Sequence, residues 1–574
     1  MEWPSSSPPK TLNLMRYLTY FFCCWLLLSC QNNYQEYKRL DGEKAMVVSA
    51  HPLASIAGKK ILKSGGNAID AAVAVHFMLA VVYPEAGNIG GGGFMLFRPA
   101  QGPTQSLDFR EIAPALAYKH MYLDSLGQAN DSLSRLGAWA VGVPGSVAGL
   151  FEAHQKYGKL PWAKLIAPAI EVAKKGYILS PSAAARLNNK LPDMRKVNRF
   201  QTPFMKKEHW SAGDRIIQKK LAQTLKRIQK EGRDGFYKGV TAALFLAEMQ
   251  AAGGLIQAQD LENYQPKWRK PIQFNYKNNY TIYSMPPPSS GGVALAQLLN
   301  MVENYPLKQM GFQSTRAVHL MVEAERRVYS DRAKHLGDTD FYPVPIEALI
   351  DKSYAKNRMR SFSYQKASPS KAIQAGTPKK IAEETTHYSI VDEAGNAVAI
   401  TTTINGNYGS KLMVQGAGFF LNNEMDDFSA KPGHPNMFGL LGSQANAIAP
   451  NKRMLSSMTP TIIDKNGELF MVLGSPGGST IITSVFQVLL NVIEFDQDLS
   501  TAVQAPRFHH QWLPDQIYIE EGAIPENEQQ QLKKMGHQFK LREPIGRVDA
   551  IIRLPNGRWQ GAADQRGNDS AAGY

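Results

Sequence analysis

The sequence predicts an α+β fold in which two antiparallel-rich sheets are stacked between layers of helix. Three observations predict it. First, two runs alternate like paired strands: residues 386–403, turning at Glu393–Asn396, and residues 458–475. Second, the run that begins at Asn67 is apolar nearly all round, and "STIITSVFQVLLNVI" (479–493) is a second long apolar helix, so both are buried. Third, 44% hydrophobic and 20% charged residues describe a globular chain without long disorder. Hairpins and buried helices together cover their apolar faces by layering helix on sheet on sheet on helix. At 574 residues the chain exceeds one ordinary domain, and one large layered fold accommodates it.

The N-terminus reads as an address. Lys10 and Arg16 precede the apolar run Tyr17–Ser29, which is short for a bilayer span and right for a signal h-region. It ends in "LLLSCQNN", which resembles a bacterial lipobox with Cys30 as the acylated first residue; an ordinary signal cut near Cys30 is the alternative. Residues 1–29 are therefore expected to be a signal peptide and 30–45 a polar tether. Both readings export the chain, and the lipobox reading puts it in the periplasm, anchored to the outer membrane by lipid. Cys23, Cys24 and Cys30 are the only cysteines. The mature chain then has no disulfide, thiol nucleophile or zinc–thiolate site, so any nucleophile is of another kind.

Net charge is +15, unevenly spread. After residue 384 there are 14 Lys and Arg against 19 Asp and Glu, a net of −5, which leaves +20 on the first 384 residues. A basic first part and an acidic second part attract each other as two pieces of one body. The basic residues are scattered, without the basic-aromatic stripe of a nucleic-acid binder, so no nucleic acid is expected.

Along the chain, residues 51–84 read as two helices, the first stopped by Gly65–Gly66 and the second capped by Asn67. Asp70 and His76 argue against a membrane span, and His76 reads as a satisfied core histidine. A glycine loop, Gly90–Gly93, then leads into a strand, a turn and a second strand ending at Asp108–Arg110. Residues 135–375 look mainly helical, with one strand–loop–helix, "YTIYSMPPPSSGGVALAQLL".

Several motifs carry less than they suggest. Gly90–Gly93 lacks the G-x-G-x-x-G spacing and an acidic residue after a second strand, so it serves close backbone packing or lines a pocket. Ser475 in "GSPGG" lacks the G-x-S-x-G frame of a nucleophile elbow. Gly477 and Gly478 are better placed as amide donors at a helix start, where free N–H groups can hold an oxyanion. The adjacent histidines of "RFHH" (507–510) have no carboxylate–histidine frame, so no metal is expected, and no cofactor either.

One junction carries more. In "KKIAEETTHYSIVD" (379–392) a polar loop runs straight into Thr385 and Thr386 at the head of a core strand. A threonine hydroxyl inside a chain is a poor nucleophile. If the preceding peptide bond is cut, its own α-amino group, with a reference pKa of about 8, lies beside Oγ and serves as its base.

The stretches "TTHYSIVD", "LNNEMDDFS", "PNKRMLSSMTPTI", "GSPGGSTIIT", "APRFHHQWLP" and "AAGY", with "GNIGGGGFML" and "DFREIAP" upstream, resemble γ-glutamyltranspeptidase (glutathione hydrolase) of the N-terminal-nucleophile (Ntn) hydrolases. The similarity runs in order from about residue 40 to the end. It implies the four-layer αββα Ntn fold and self-cleavage between Glu384 and Thr385. A large subunit (46–384) and a small catalytic subunit (385–574) would remain a non-covalent heterodimer. Thr385 is the implied nucleophile on glutathione and other γ-glutamyl compounds, with water or an acceptor amino acid or peptide resolving the γ-glutamyl-enzyme. Thr403 is the implied second threonine, and Gly477 and Gly478 the oxyanion donors. Arg110, helped by Ser456 and Ser457, fits the donor's carboxylate end, and Asp427, Glu424 and Asn405 its ammonium end.

Two positions depart from the family. Glu424 stands where a glutamine is common in bacterial relatives, and Phe438, in the lid-like stretch 431–446, where a tyrosine is common. The alternatives are an Ntn acylase acting on another amide, such as a glutaryl β-lactam side chain, and a non-catalytic lipoprotein that binds γ-glutamyl peptides.

Overall fold

A computed structural model describes residues 35–376, 386–431, 433–441 and 444–574. The signal segment, Cys30, Glu384 and Thr385 lie outside the described residues.

Two seven-stranded antiparallel sheets lie face to face. Across the first, the order is Arg39–Gly42, Trp559–Ala562, Asp549–Arg553, Glu468–Gly474, Thr461–Lys465, Tyr280–Ser284, Ile272–Tyr276. Across the second it is Ser570–Gly573, Met46–Ser49, Thr386–Val391, Ala397–Thr403, Gly92–Arg98, Gln105–Asp108, Lys267–Arg269. Side chains alternate as pleated strands require. Val48, Leu96, Val391, Ala399, Val472 and Ile551 fill the space between the sheets. Their neighbours Val47, Tyr388 and Ile390 face outward into one helical layer, and Met471 and Ile552 into the other. Both faces of the central hairpin are buried, so polar Thr386, Ser389 and Thr401 are enclosed along with its apolar residues.

The outer layers follow from the same logic. Ala68–Val82 is buried along its whole length and starts at a capping box between Asn67 and Asp70, as the sequence indicates. Asp70 also accepts from the Lys159 amide at 3.0 Å, and His76 bonds the Tyr388 hydroxyl at 3.0 Å and the Asn88 carbonyl at 2.9 Å. Both polar residues are thus satisfied inside the protein. Gly291–Val302, Thr315–His335 and Thr480–Ile493 cover the other sheet. Among the described residues no helix is long and apolar enough to cross a membrane.

Two expectations need adjustment, and that of close backbone packing at the glycine run holds. Arg39–Gly42, inside the expected tether, is an edge strand paired with Trp559–Ala562. The mainly helical stretch also supplies two edge strands: Lys267–Arg269, too short to show a period, and Ile272–Tyr276, whose alternation of Ile272, Phe274 and Tyr276 with Gln273 and Asn275 runs for only five residues. The glycine run is a matter of close backbone approach: a Cβ on Gly91 would lie 2.0 Å from the Thr403 carbonyl oxygen, and one on Gly90 2.2 Å from that of Phe420.

The charge asymmetry is used in the fold. Lys44–Glu393 (2.6 Å), Arg98–Asp464 (2.7 Å) and Lys277–Glu494 (2.7 Å) each join a cation before residue 376 to an acid after 386.

Candidate active site

The site lies at one end of the sandwich, where the hairpin Thr386–Val391/Ala397–Thr403 opens. Thr386 pairs with Thr402 and Thr403 with Gly92. Strand Gln105–Asp108 ends at the same edge and delivers Arg110. From the other sheet, Glu468–Gly474 runs out beside His387, whose ring lies so close that a Cβ on Gly474 would approach within 2.4 Å of it. The loop 475–479 therefore leaves at the level of the threonine strand.

His387 is two residues from the expected nucleophile, yet it is not its base. Its Nδ1 bonds the Thr401 hydroxyl at 2.9 Å and its Nε2 the Ser389 hydroxyl at 3.0 Å. Burial pushes its pKa down to about 3, so the ring is neutral and works as a spacer between the sheets.

The threonine end is prepared for hydrogen bonding. The Thr403 hydroxyl accepts from the Asn405 amide at 2.7 Å, and Asn405 takes a left-handed backbone, φ 66°, which its short amide side chain tolerates. Gly477 and Gly478 have φ of 129° and 63°, and their carbonyls receive the first amides of the following helix. Their own N–H groups have no acceptor among the described residues. Two unpaired amides in a tight turn at a helix start form a concavity for negative charge.

Arg110 is fully buried and sits among acids. Nη1 reaches Glu424 at 2.7 Å and Glu111 at 3.2 Å, Nη2 reaches Asp427 at 2.9 Å, and all four side chains are out of contact with solvent. The residues expected at the two ends of one substrate thus touch each other. Glu424 and Asp427 come from the short 3-10 turn Glu424–Asp427, fixed by the Asn422 side chain, which accepts from the Glu424 amide at 3.1 Å. Burial pushes the Glu111 carboxyl well above the usual carboxylate range, and the Glu424 charge adds to the push. Oε1 of Glu424 and Oδ1 of Asn405 are buried and accept no hydrogen bond among the described residues. Asn405 bonds the carbonyl of Asn423, next to Glu424, at 3.0 Å, and two such orphaned acceptors suit a cation with several N–H groups.

Ser456 and Ser457 are fully buried. The Ser456 carbonyl is held by the amide and hydroxyl of Ser290 at 2.6 and 2.7 Å, and the Ser457 hydroxyl accepts from Arg332. In the lid stretch, the Phe438 ring packs half-buried against the helical core, and its carbonyl meets the Gln511 side chain at 3.4 Å. Asn436 reaches Asp427 at 3.4 Å and accepts from the amides of Phe438 and Leu440 at 3.0 and 3.2 Å. Among the described residues no group of three His, Cys, Asp or Glu could hold a metal.

Sequence reasoning left three participants out. Glu111 follows Arg110 in the same motif, and its adjacency was the available signal. Arg332 and Asn436 gave none, because a helix charge and a loop amide read as solvated.

Two facing antiparallel sheets between helical layers, with a threonine-headed strand and an amide-lined turn at one end, define the Ntn-hydrolase class. The comparisons agree. The cephalosporin acylase of Bacillus halodurans superposes with a TM-score of 0.83 at 26% identity, over 95% of this chain and 98% of that one. The family model for gamma-glutamyltranspeptidase matches residues 54–574. The glutathione hydrolase proenzyme of Escherichia coli (strain K12) is 45% identical, covering 93% of this chain and 92% of that one. That of Pseudomonas aeruginosa is 47% identical, over 88% and 90%. The chain belongs to the γ-glutamyltranspeptidase family.

Proposed function

We propose that this chain is a self-processing γ-glutamyltransferase and glutathione hydrolase whose nucleophile is Thr385. One observation carries the assignment of the nucleophile: Thr386, the residue after Thr385, pairs with Thr402, the residue before Thr403. Residues paired across an antiparallel ladder lie about 4.5–5.5 Å apart at Cα, near enough for one threonine hydroxyl to orient the other.

In maturation, Thr385 Oγ attacks the Glu384 carbonyl carbon. The C–N bond breaks, the nitrogen takes the hydroxyl proton, and an ester forms; water opens it to a Glu384 carboxylate and a free Thr385 amine and hydroxyl. The pieces stay together because their strands interleave. Met46–Ser49 lies between Ser570–Gly573 and Thr386–Val391, and Gly92–Arg98 pairs with Ala397–Thr403.

In turnover, the free amine takes the Thr385 proton as Oγ attacks the donor's γ-carbonyl, and the Gly477 and Gly478 amides hold the oxyanion. The amine then protonates the leaving nitrogen, releasing cysteinylglycine from glutathione. Water or an acceptor amine resolves the γ-glutamyl ester. An α-amino acid carries both charges on one carbon, so its site must hold opposite charges side by side. The 2.9 Å contact of Arg110 with Asp427 is that arrangement. The ammonium is taken by Asp427, Glu424 Oε1 and Asn405 Oδ1, and the carboxylate by Arg110, Ser456 and Ser457, under the lid carrying Phe438. An acylase donor without an α-ammonium would leave those acceptors unused.

The enzyme is exported to the periplasm and tethered to the outer membrane through Cys30. Intact mass and N-terminal sequencing test the whole reading: two fragments, the second beginning at Thr385, and a lipid on the first. A single uncut chain that turns over glutathione would sink it.

A further inference from the structure

The helix Thr315–His335 is polar along much of its length, yet nearly all of it is buried. Its polar groups Glu323, Arg326 and Ser330 follow at three- and four-residue intervals, and Asp331 and His335, four apart, form the adjoining row, so together they make one broad polar side. That face grips residues 368–376, which end eight positions before Glu384. Glu323 accepts from the Ser368 amide at 2.9 Å and hydroxyl at 2.6 Å, and Arg326 donates to the Ser370 hydroxyl. Ser330 donates to the Ile373 carbonyl at 3.2 Å. Gly376 is held on both sides, its amide by Asp331 at 2.8 Å and its carbonyl by His335 Nε2 at 2.5 Å. A Cβ on Gly376 would lie 2.2 Å from the Tyr354 hydroxyl, so a side chain here has to displace that ring. The same helix reaches the oxyanion loop, where the Tyr329 hydroxyl donates to the Ser479 carbonyl, and the Ser457 hydroxyl through Arg332.

In self-cleavage the nucleophile and the carbonyl it attacks belong to adjacent residues, so proximity is intrinsic. What the fold has to supply is orientation of the scissile peptide against fixed donors. Strand Thr386–Val391 fixes the downstream side of the junction. We propose that the buried polar face of Thr315–His335 fixes the upstream side, which makes Asp331, His335 and Gly376 positioning residues for self-cleavage, while the same helix aligns the oxyanion loop. This rests on the assignment of the cut at Thr385.

The test compares the full-length chain with His335→Leu and Gly376→Ala by following the appearance of the two fragments on denaturing gels and by mass. Both variants are expected to cleave at least tenfold more slowly, at the same bond. Once cut, their kcat/KM for γ-glutamyl-p-nitroanilide should match the parent's, because neither residue is among those assigned to the donor or the oxyanion. Cleavage at the parent's rate overturns the proposal. So does slowing accompanied by an equal loss of turnover in the cut fraction, which would indicate a general structural role. A parent that stays whole, or is cut elsewhere, overturns the nucleophile assignment itself and is seen without any variant.

Discussion

Arg110 and Asp427 meet at 2.9 Å with both side chains out of contact with solvent. Such a pair is costly to desolvate and is held by its geometry and further hydrogen bonds. Tyr264 donates to the Arg110 carbonyl at 2.8 Å and Asp108 accepts from its amide at 2.9 Å, so the backbone beneath the guanidinium is fixed as well. A preformed opposite-charge pair can accept a zwitterion without either protein charge having to travel.

Arg110→Ala leaves Glu424 and Asp427 buried without their common cation, and removing one partner of a buried pair costs about 3–5 kcal/mol. Urea midpoints should fall accordingly. Arg110→Lys keeps the charge and loses the fork that spans both acids, so it should fold closer to the parent while its donor KM rises by about tenfold or more, the equivalent of one charge-assisted hydrogen bond. A lysine variant with unchanged KM would remove Arg110 from the donor site.

Glu111 predicts a pH dependence. Its folded pKa is raised, first by burial and then by Glu424, above an unfolded value of about 4.3. Between those two pKa values the folded state holds the extra proton, so the contribution is fully present below pH of about 4.3 and is lost as pH rises through the folded pKa. Glu111→Gln removes that loss. Urea titrations at pH 4.5 and pH 8 should show the variant gaining on the parent at the higher pH, and a constant difference would contradict the buried, protonated acid.

Much of this was legible from the residues because the signals were local. The hairpin 386–403 shows its alternation, Asn67 its capping box, and the glycine-rich stretches their close approaches. Charges were harder to place. Arg110, Glu111 and Arg332 read individually as surface groups, and only the fold shows them buried and mutually paired. The helix Thr315–His335 has the composition of a solvated helix. It is covered because its polar face bonds residues 368–376, a pairing between distant segments that no sequence window contains.

Gly477 predicts a separation of rate from binding. Its φ of 129° belongs to glycine, and a Cβ would lie 2.5 Å from the Thr480 hydroxyl and 2.9 Å from the Gly546 Cα. Gly477→Ala therefore has to turn its amide away from the oxyanion position. Loss of one oxyanion donor costs about 10²–10³ in kcat. The cut fraction of the variant should lose at least about tenfold in kcat with KM changed little, since the amide engages charge that develops only in the transition state. A rise in KM at constant kcat would assign the turn to ground-state binding instead.

Asn436 connects the stretch carrying Phe438 to Asp427, the proposed ammonium ligand. Its Oδ1 accepts from the amides of Phe438 and Leu440, and its Nδ2 reaches Asp427 Oδ1 at 3.4 Å. The turn that presents Phe438 is thus built on a side chain that also contacts Asp427. Asn436→Ala removes both functions, and the loss of about one or two net hydrogen bonds corresponds to roughly a five- to twentyfold rise in donor KM. Phe438→Tyr leaves those bonds intact and adds a hydroxyl to a half-buried ring, so its effect should be confined to the lid's own closure. Steady-state kinetics with the same donor separates the two: the asparagine variant should lose affinity for every γ-glutamyl donor alike, because the defect lies at the head group they share. If its KM rises for bulky leaving groups only, Asn436 acts on the lid's outer face and the link to Asp427 carries no binding energy.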